Sequence, residues 1–288
     1  MVNILNDLQY HLSRKSLESL YFSFIRPMLE YGSVVWDGCT TNECQELEKV
    51  NLAAARVVTG ATAGTSHDLI YQESGFEKLS DRRRKSKLIM FYKIVNGDVP
   101  QYLTDLLPMS VRQRNRYNMR SGYNFSLIRA RTNVFNSSFF PSVIRLWNDL
   151  PPATRGAEFL DQFKAKLNRD KPKVNPLFYI GSRKVAILHA RMRMKCSMLK
   201  ADLFRKGLAD SPRCACGASN EDIFHYLFEC QNFRVERDRL QNIVIPLAPF
   251  TVQTLLFGSE NCTFQENEKI FLAVHSYINS TGRPGAVT

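Results

Sequence analysis

Three cysteines and one histidine lie close together in the last third of the sequence. One residue separates Cys214 from Cys216, eight separate Cys216 from His225, and four separate His225 from Cys230. Zinc prefers four thiolate or imidazole ligands in a tetrahedron, and Cys₃His is one of its standard sets. We therefore predict a Zn²⁺ site, and it would be structural because protein atoms fill all four positions. The alternative is four unrelated residues, since Cys-x-Cys is a weaker signal than Cys-x-x-Cys.

The segment that carries these residues must fold in a particular way to bring them together. Gly217 permits a tight turn after the first two cysteines. Ser219 is a candidate N-cap, which predicts a helix over the segment NEDIFHYLFEC. On an unbroken α-helix His225 and Cys230 point about 140° apart. Both reach one ion only if the helix ends near Glu229 and the chain turns.

Most of the remaining sequence has apolar residues at helical spacing, which predicts a mainly α fold. Ser16 and Thr41 are candidate caps for the first two long helices, and Pro27 should end or kink the first. The expected buried stripes are Leu17, Leu20, Tyr21 and Phe24; Leu47, Val50, Ala54 and Val57; Leu88, Phe91, Tyr92 and Val95; Phe159, Phe163 and Leu167; and Val185, Leu188, Met192, Cys196, Leu199 and Leu203.

Length and composition indicate an ordinary globular protein. At 288 residues, with 44% hydrophobic and 23% charged residues, the chain is long enough for two modest domains. Seven cysteines, without a secretory leader, favour a reducing compartment. No apolar run reaches the length of a membrane span. We expect an intracellular protein of the nucleus or cytoplasm with no membrane partner.

The net charge of +12 comes from two basic blocks. Residues 81–131 contain 12 Lys/Arg and 3 acids, and residues 183–206 contain 8 and 1. Excess positive charge favours polyanionic partners, so we predict binding of RNA and DNA. Two solvated helix faces, or a loop that wraps the helical core, are the alternatives. The candidate contacts are Arg82, Arg83, Arg84, Lys85, Arg112, Arg114, Arg116, Arg120, Arg129, Arg131, Arg191, Arg193 and Lys195.

Composition also divides the chain into four segments. Residues 1–107 are a helical region, and residues 108–167 are an Arg/aromatic-rich connector with helices. The polar, proline-containing stretch 168–176 is the best linker candidate. Residues 177–288 form a small helical C-terminal domain that contains the Cys-Cys-His-Cys motif.

Five stretches, in order, resemble one protein family: LYFSFIRPMLEYGSVVWDG, LEKVNLAAARVVTG, VPQYLTDLLP, FFPSVIRLWNDLP and SPRCACGASNEDIFHYLFEC. They look like the C-terminal portion of non-LTR (LINE-like, jockey-type) retrotransposon reverse transcriptases. The resemblance implies a thumb-like bundle over 1–107, a connector, and a zinc-knuckle tail whose ligands are the four residues above. It also implies contacts with template RNA, primer and target DNA. One departure is Gln231, where many relatives have proline.

Catalytic residues of that family are missing from this sequence. Its members polymerise with palm aspartates that hold two Mg²⁺ ions, and no Asp-Asp pair occurs here. Magnesium would belong only to the missing palm, and we expect no polymerase activity from the chain alone. The leading hypothesis is a nucleic-acid-binding fragment. The alternative is a structural remnant that packs on a palm domain or self-associates, and an enzyme of another class ranks last.

Overall fold

The computed structural model describes residues 2–110, 124–169 and 171–283. Within these ranges the protein is mainly helical and contains no extended strand. Ser110 and Phe125 form an isolated antiparallel bridge. The predicted mainly α fold class is confirmed.

The chain divides into two compact units, each built from stretches that are distant in sequence. Unit 1 comprises Met1–Ile25, Leu52–Phe76 and Lys173–Thr288, and unit 2 comprises Arg26–Asn51 and Glu77–Pro172. The four continuous segments expected from composition stay a prediction.

Unit 1 contains the cysteine-histidine motif. Its helices are α1 (Val2–Asp7), α2 (Arg14–Leu20), a π-helix (Tyr21–Ile25), the end of α5 (Thr41–Thr59), α6 (His67–Ser74), a 3₁₀ turn (Pro176–Tyr179), α13 (Arg183–Arg193), α14 (Lys200–Arg205), a second π-helix (His225–Glu229), a second 3₁₀ turn (Gln231–Phe233), α15 (Arg234–Val244), α16 (Val252–Phe257) and α17 (Phe264–Thr281). Its main core includes fully buried Met192, Leu227, Leu255 and Ile270. The long helix α17 packs on α13, α15 and α16.

Unit 2 is built around α7. Its helices are α3 (Arg26–Glu30), α4 (Ser33–Trp36), the start of α5, α7 (Leu79–Val95), α8 (Gln101–Thr104), α9 (Asn133–Ser137), α10 (Phe139–Asn148), α11 (Pro152–Arg155) and α12 (Leu160–Leu167). The predicted stripe of α7 faces the core, where Phe91 contacts the ring of Trp147 and Tyr92 stacks on Phe163.

Two of the predicted stripes are wrong in part, because the backbone departs from a regular α-helix. The π-helix Tyr21–Ile25 widens one turn, so Ile25 is buried whereas Phe24 is 61% exposed. Pro27 follows directly, inside α3. In α12 the stripe begins too early, since Phe159 is the exposed N-cap residue.

Three further expectations about helix ends are also corrected. The side chain of Ser13, not Ser16, caps α2. Thr40, not Thr41, caps α5, and Gly60 follows the end of that helix with φ +73°. The last predicted stripe is split between two helices, because α13 ends at Arg193.

In the part of the chain that the structure describes, every helix is too short or too polar to cross a membrane.

Candidate metal centre

The four predicted ligands come together in unit 1. One ligand atom from each of Cys214, Cys216, His225 and Cys230 lies within 4.8 Å of all the others. The Sγ atoms of Cys214 and Cys230 are 3.8 Å apart, and Cys216 Sγ lies 3.2 Å from His225 Nε2. Two thiolates that bind one tetrahedral zinc at about 2.3 Å are about 3.8 Å apart. The cluster can therefore hold a metal ion.

A tight turn brings the first two cysteines together, as the sequence predicted. The N–H of Gly217 donates to the carbonyl of Cys214 at 3.1 Å, and the N–H of Cys214 donates to the carbonyl of Ala218 at 3.0 Å. Gly217 has φ +97°, in the left-handed region that favours glycine. The glycine is thus required by backbone conformation.

A π-helix brings His225 and Cys230 to the same ion. Residues His225–Glu229 form one π-turn, closed by a 2.8 Å hydrogen bond from the N–H of Cys230 to the carbonyl of His225. That bond spans five residues and widens the turn, so the two side chains no longer diverge as they would on an α-helix. At Cys230 the backbone becomes extended and the helix ends. The turn required near Glu229 is therefore present.

The helix begins later than predicted. The carboxylate of Asp222 accepts a hydrogen bond from the N–H of His225 at 2.8 Å and caps the first turn. Ser219 is not the cap, because the next residues bond to other parts of the unit. The N–H of Glu221 donates to the carbonyl of Pro212 at 2.7 Å. This contact holds the start of the helix against the segment that precedes Cys214.

Side chains from α15 and α17 hold the backbone of the π-helix. The guanidinium of Arg237 donates to the carbonyl of Cys230 at 2.9 Å. The hydroxyl of Tyr277 donates to the carbonyl of Tyr226 at 2.6 Å. Arg237 and both tyrosines are buried, so the ligand-bearing turn is fixed to the core of unit 1.

Two carboxylates stand next to the ligands. Glu229 Oε2 lies 3.5 Å from His225 Nδ1, a position from which a carboxylate orients the ring and leaves Nε2 for the metal. Glu221 is 3% exposed, and its Oε1 lies 3.9 Å from Cys214 Sγ. Arg283 Nη2 donates to the same oxygen at 2.6 Å. This ion pair joins the residues after α17 to the ligand cluster.

The thiols differ in their acidity before a metal binds. The backbone N–H of Ala218 lowers the pKa of Cys216 to about 7. Burial raises the pKa of Cys230 to about 12 and also raises the pKa of Cys214. Metals bind thiolates, so a bound cation must offset the burial of these two sulfurs, and binding releases protons.

Three predicted nucleic-acid contacts on α7 form ion pairs within unit 2. The pairs are Arg82 with Glu30 and Glu77, Arg83 with Asp37, and Lys85 with Glu77. Arg83 is buried, and the other two are partly buried. Local carboxylates therefore balance these charges, and Arg84 is the exposed cation of this run.

Two contacts predicted on α13 also bond within their own unit. Arg193 is 7% exposed and donates to Glu73 Oε1 at 2.7 Å. Its guanidinium also lies 3.8 Å from the ring centroid of Phe178. Arg191 donates from Nε to the carbonyl of Gly60 at 2.8 Å. Both side chains serve the packing of unit 1.

The remaining candidate cations are either exposed or outside the described residues. Arg84, Arg129, Arg131 and Lys195 are exposed and form no ion pair with a described residue. Arg112, Arg114, Arg116 and Arg120 lie in residues 111–123, outside the described ranges. The nucleic-acid interface stays a prediction, and it depends on these eight positions.

Comparison with known proteins adds nothing to these observations. No family model matches the chain, and no curated protein or solved structure matches it. The resemblance to reverse transcriptases therefore stays a prediction. A mainly helical protein with a cysteine-histidine cluster able to hold a metal is what the structure establishes.

Proposed function

We propose that this chain binds RNA or single-stranded DNA, and that a structural zinc ion at Cys214, Cys216, His225 and Cys230 stabilises unit 1. The observation that carries the proposal is the convergence of these four ligand atoms within 4.8 Å. The proposal includes the suggested origin: a fragment from the C-terminal portion of a non-LTR retrotransposon reverse transcriptase that has no catalytic palm.

Zinc is the metal that this ligand set favours. Three thiolates and one imidazole suit zinc, whereas magnesium and calcium prefer oxygen ligands. The four protein atoms leave no position for water or substrate. Such a site supplies folding energy and performs no catalysis. The ion would link the turn at Gly217 to the π-helix, which are separate along the chain.

Nucleic acid is supported by charge and exposure. The net charge is +12. Arg129 and Arg131 are exposed, and in the sequence they follow the arginine-rich segment 111–123. Guanidinium groups bind phosphate oxygens. This binding releases counterions from the nucleic acid, so the affinity falls steeply as the salt concentration rises. Phosphate contacts carry no base information, so we expect similar affinity for different sequences.

Metal content tests the first half of the proposal. Native mass spectrometry of the purified protein should show one zinc per chain, and Cys216→Ala should lose it. Cys262→Ala is the matched control, because Cys262 is a partly buried cysteine outside the cluster. Wild-type protein without zinc after purification with added zinc, or full zinc in Cys216→Ala, would refute the metal assignment.

Filter binding with a single-stranded RNA of about 20 nucleotides tests the second half. The double variant Arg129→Ala/Arg131→Ala should weaken binding and lower the slope of log affinity against log salt by roughly 1 to 2. The matched control is Arg234→Ala/Arg239→Ala, which removes the same charge from exposed positions of α15 outside the basic blocks. Equal losses in both double variants would show that net charge alone acts, with no defined interface.

A second candidate function is protein interaction without nucleic-acid binding. Unit 2 exposes large apolar side chains on α3, on α4 and in the turn between them, where Met28 is 63%, Val35 89% and Tyr31 86% exposed. Apolar surface of this kind often marks a contact site. An oligomer in light scattering that is insensitive to salt, together with no RNA binding, would favour this function.

A further inference from the structure

A second pair of cysteines lies in unit 2: Cys39 lies between α4 and α5, and Cys44 lies in the first turn of α5. The Sγ atoms of Cys39 and Cys44 are 3.1 Å apart, although neither residue belongs to the metal cluster. Both side chains are partly buried and therefore partly open to solvent. In the described ranges no histidine or carboxylate joins them to form a second metal-binding group. Two thiols that face each other alone are suited to oxidation.

The loop is held in this arrangement by backbone bonds and a capping box. The N–H of Cys39 donates to the carbonyl of Trp36, and the N–H of Cys44 donates to the carbonyl of Thr40, each at 3.0 Å. Glu43 Oε2 accepts from the N–H and the hydroxyl of Thr40 at 2.8 and 2.9 Å. These contacts fix both ends of the six-residue segment before any bond joins the sulfurs.

We propose that Cys39 and Cys44 form a reversible redox site, which small disulfides such as oxidised glutathione convert to an intrachain disulfide. One thiolate attacks the oxidant, forms a mixed disulfide and releases one reduced glutathione. The second thiolate then attacks the protein sulfur of that mixed disulfide and releases the second glutathione. The two protein thiols lose two electrons, the glutathione disulfide gains them, and the two thiol protons pass to the glutathione thiolates.

The surroundings of the pair slow its oxidation. Burial, the neighbouring thiol and Asp37 raise the pKa of Cys39 to about 11, while the guanidinium of Arg83 lowers it. A largely protonated thiol reacts slowly. Closure of so short a loop also adds little stability through chain entropy. Chain entropy therefore opposes reduction only weakly, and both sulfurs are partly open to solvent, so reduced glutathione can reverse the bond.

Peptide mapping of the zinc-loaded full chain tests the proposal. After equilibration with glutathione buffers and blocking of free thiols, trypsin yields a peptide of residues 16–49 that contains both cysteines and no other, because Pro27 protects Arg26 from cleavage. We expect this peptide to carry no blocking group and to be about 2 Da, the mass of two hydrogens, lighter than the unmodified dithiol peptide. Cys44→Ser should instead retain one glutathione on Cys39, and Cys262→Ser should behave as wild type.

A comparison with the unfolded chain separates the contribution of the fold. In concentrated urea the same oxidation should need a ratio of oxidised to reduced glutathione at least about tenfold higher, because the sulfurs are no longer held together. An equal ratio in both states would overturn the claim that this loop is arranged for oxidation. Stable mixed disulfides on both cysteines of the folded protein would overturn the site itself.

Discussion

Replacing Glu73 by alanine should destabilise unit 1 more than any surface charge change. Glu73 is 4% exposed and accepts hydrogen bonds from two arginines that are themselves buried. Its Oε1 accepts from Arg14 Nη1 at 3.1 Å and Arg193 Nη2 at 2.7 Å, and its Oε2 accepts from Arg193 Nε at 2.9 Å. The variant leaves these guanidinium groups buried without their shared carboxylate.

The size of the stability loss depends on whether each arginine keeps another carboxylate partner. Arg14 keeps an ion pair with Glu18, whose Oε1 lies 2.9 Å from its Nε. Arg193 has no second carboxylate among its described partners, so its charge becomes unpaired in the core. Removing one member of a buried ion pair costs about 3–5 kcal/mol. We expect the free energy of unfolding to fall by that amount.

Urea unfolding followed by circular dichroism measures this loss. The matched control is Glu46→Ala, since Glu46 pairs with Lys49 on the surface and both side chains are more than two-thirds exposed. Exposed pairs contribute at most about 1 kcal/mol. The reasoning is refuted if Glu73→Ala loses no more stability than Glu46→Ala. Adding Arg193→Met to Glu73→Ala should recover part of the loss, because the unpaired charge is gone.

Three further predictions concern pH, backbone conformation and capping. Burial lowers the pKa of His275 to about 4, below the ordinary value near 6.5, so folding is fully supported above about pH 6.5 and stability falls as pH drops towards 4. Through this residue the free energy of unfolding should fall by about 2 kcal/mol between pH 7 and pH 5. Urea titrations of His275→Gln should show a smaller fall over the same pH range, and an equal fall would contradict the assignment. Gly181→Ala should destabilise more than Gly207→Ala by about 1–3 kcal/mol in urea titrations, because both have positive φ but only the first Cβ would strike His275; equal losses would show that the clash is relieved. Thr263→Ala should cost about 1 kcal/mol in thermal unfolding, since Thr263 and Glu266 form the capping box of α17, and an unchanged midpoint would contradict this.

The metal cluster shows how far ligand spacing alone can lead. All four ligands and the turn at Gly217 followed from residue type and position. The π-helix did not, because a five-residue hydrogen bond has no signature in apolar periodicity. The sequence did show that the regular helix must be interrupted here, because His225 and Cys230 could not share an ion on an unbroken α-helix. The true cap, Asp222, was missed because the bonds of Glu221 to Pro212 come from tertiary structure.

Charge was harder to interpret from sequence than ligands. The basic blocks were counted along the chain, whereas charge balance is set in space. Arg82 pairs with a glutamate 52 positions away, and Arg193 with one 120 positions away. No local pattern marks Glu30 or Glu73 as their partners. A block of cations in sequence is therefore an upper limit on the cations that the surface presents.

Contacts between residues distant in sequence also connect the ligand cluster to α17. Glu221 lies beside Cys214 and pairs with Arg283, just after α17, while Tyr277 of α17 bonds to the carbonyl of Tyr226 within the π-helix. The ligand cluster and the longest helix of the unit therefore share contacts at two points. Binding energy at a site that forms only in the folded chain is folding energy. A metal held by these four ligands would thus stabilise the docking of α17 as well as its own loop, which is the role expected of a closed structural site.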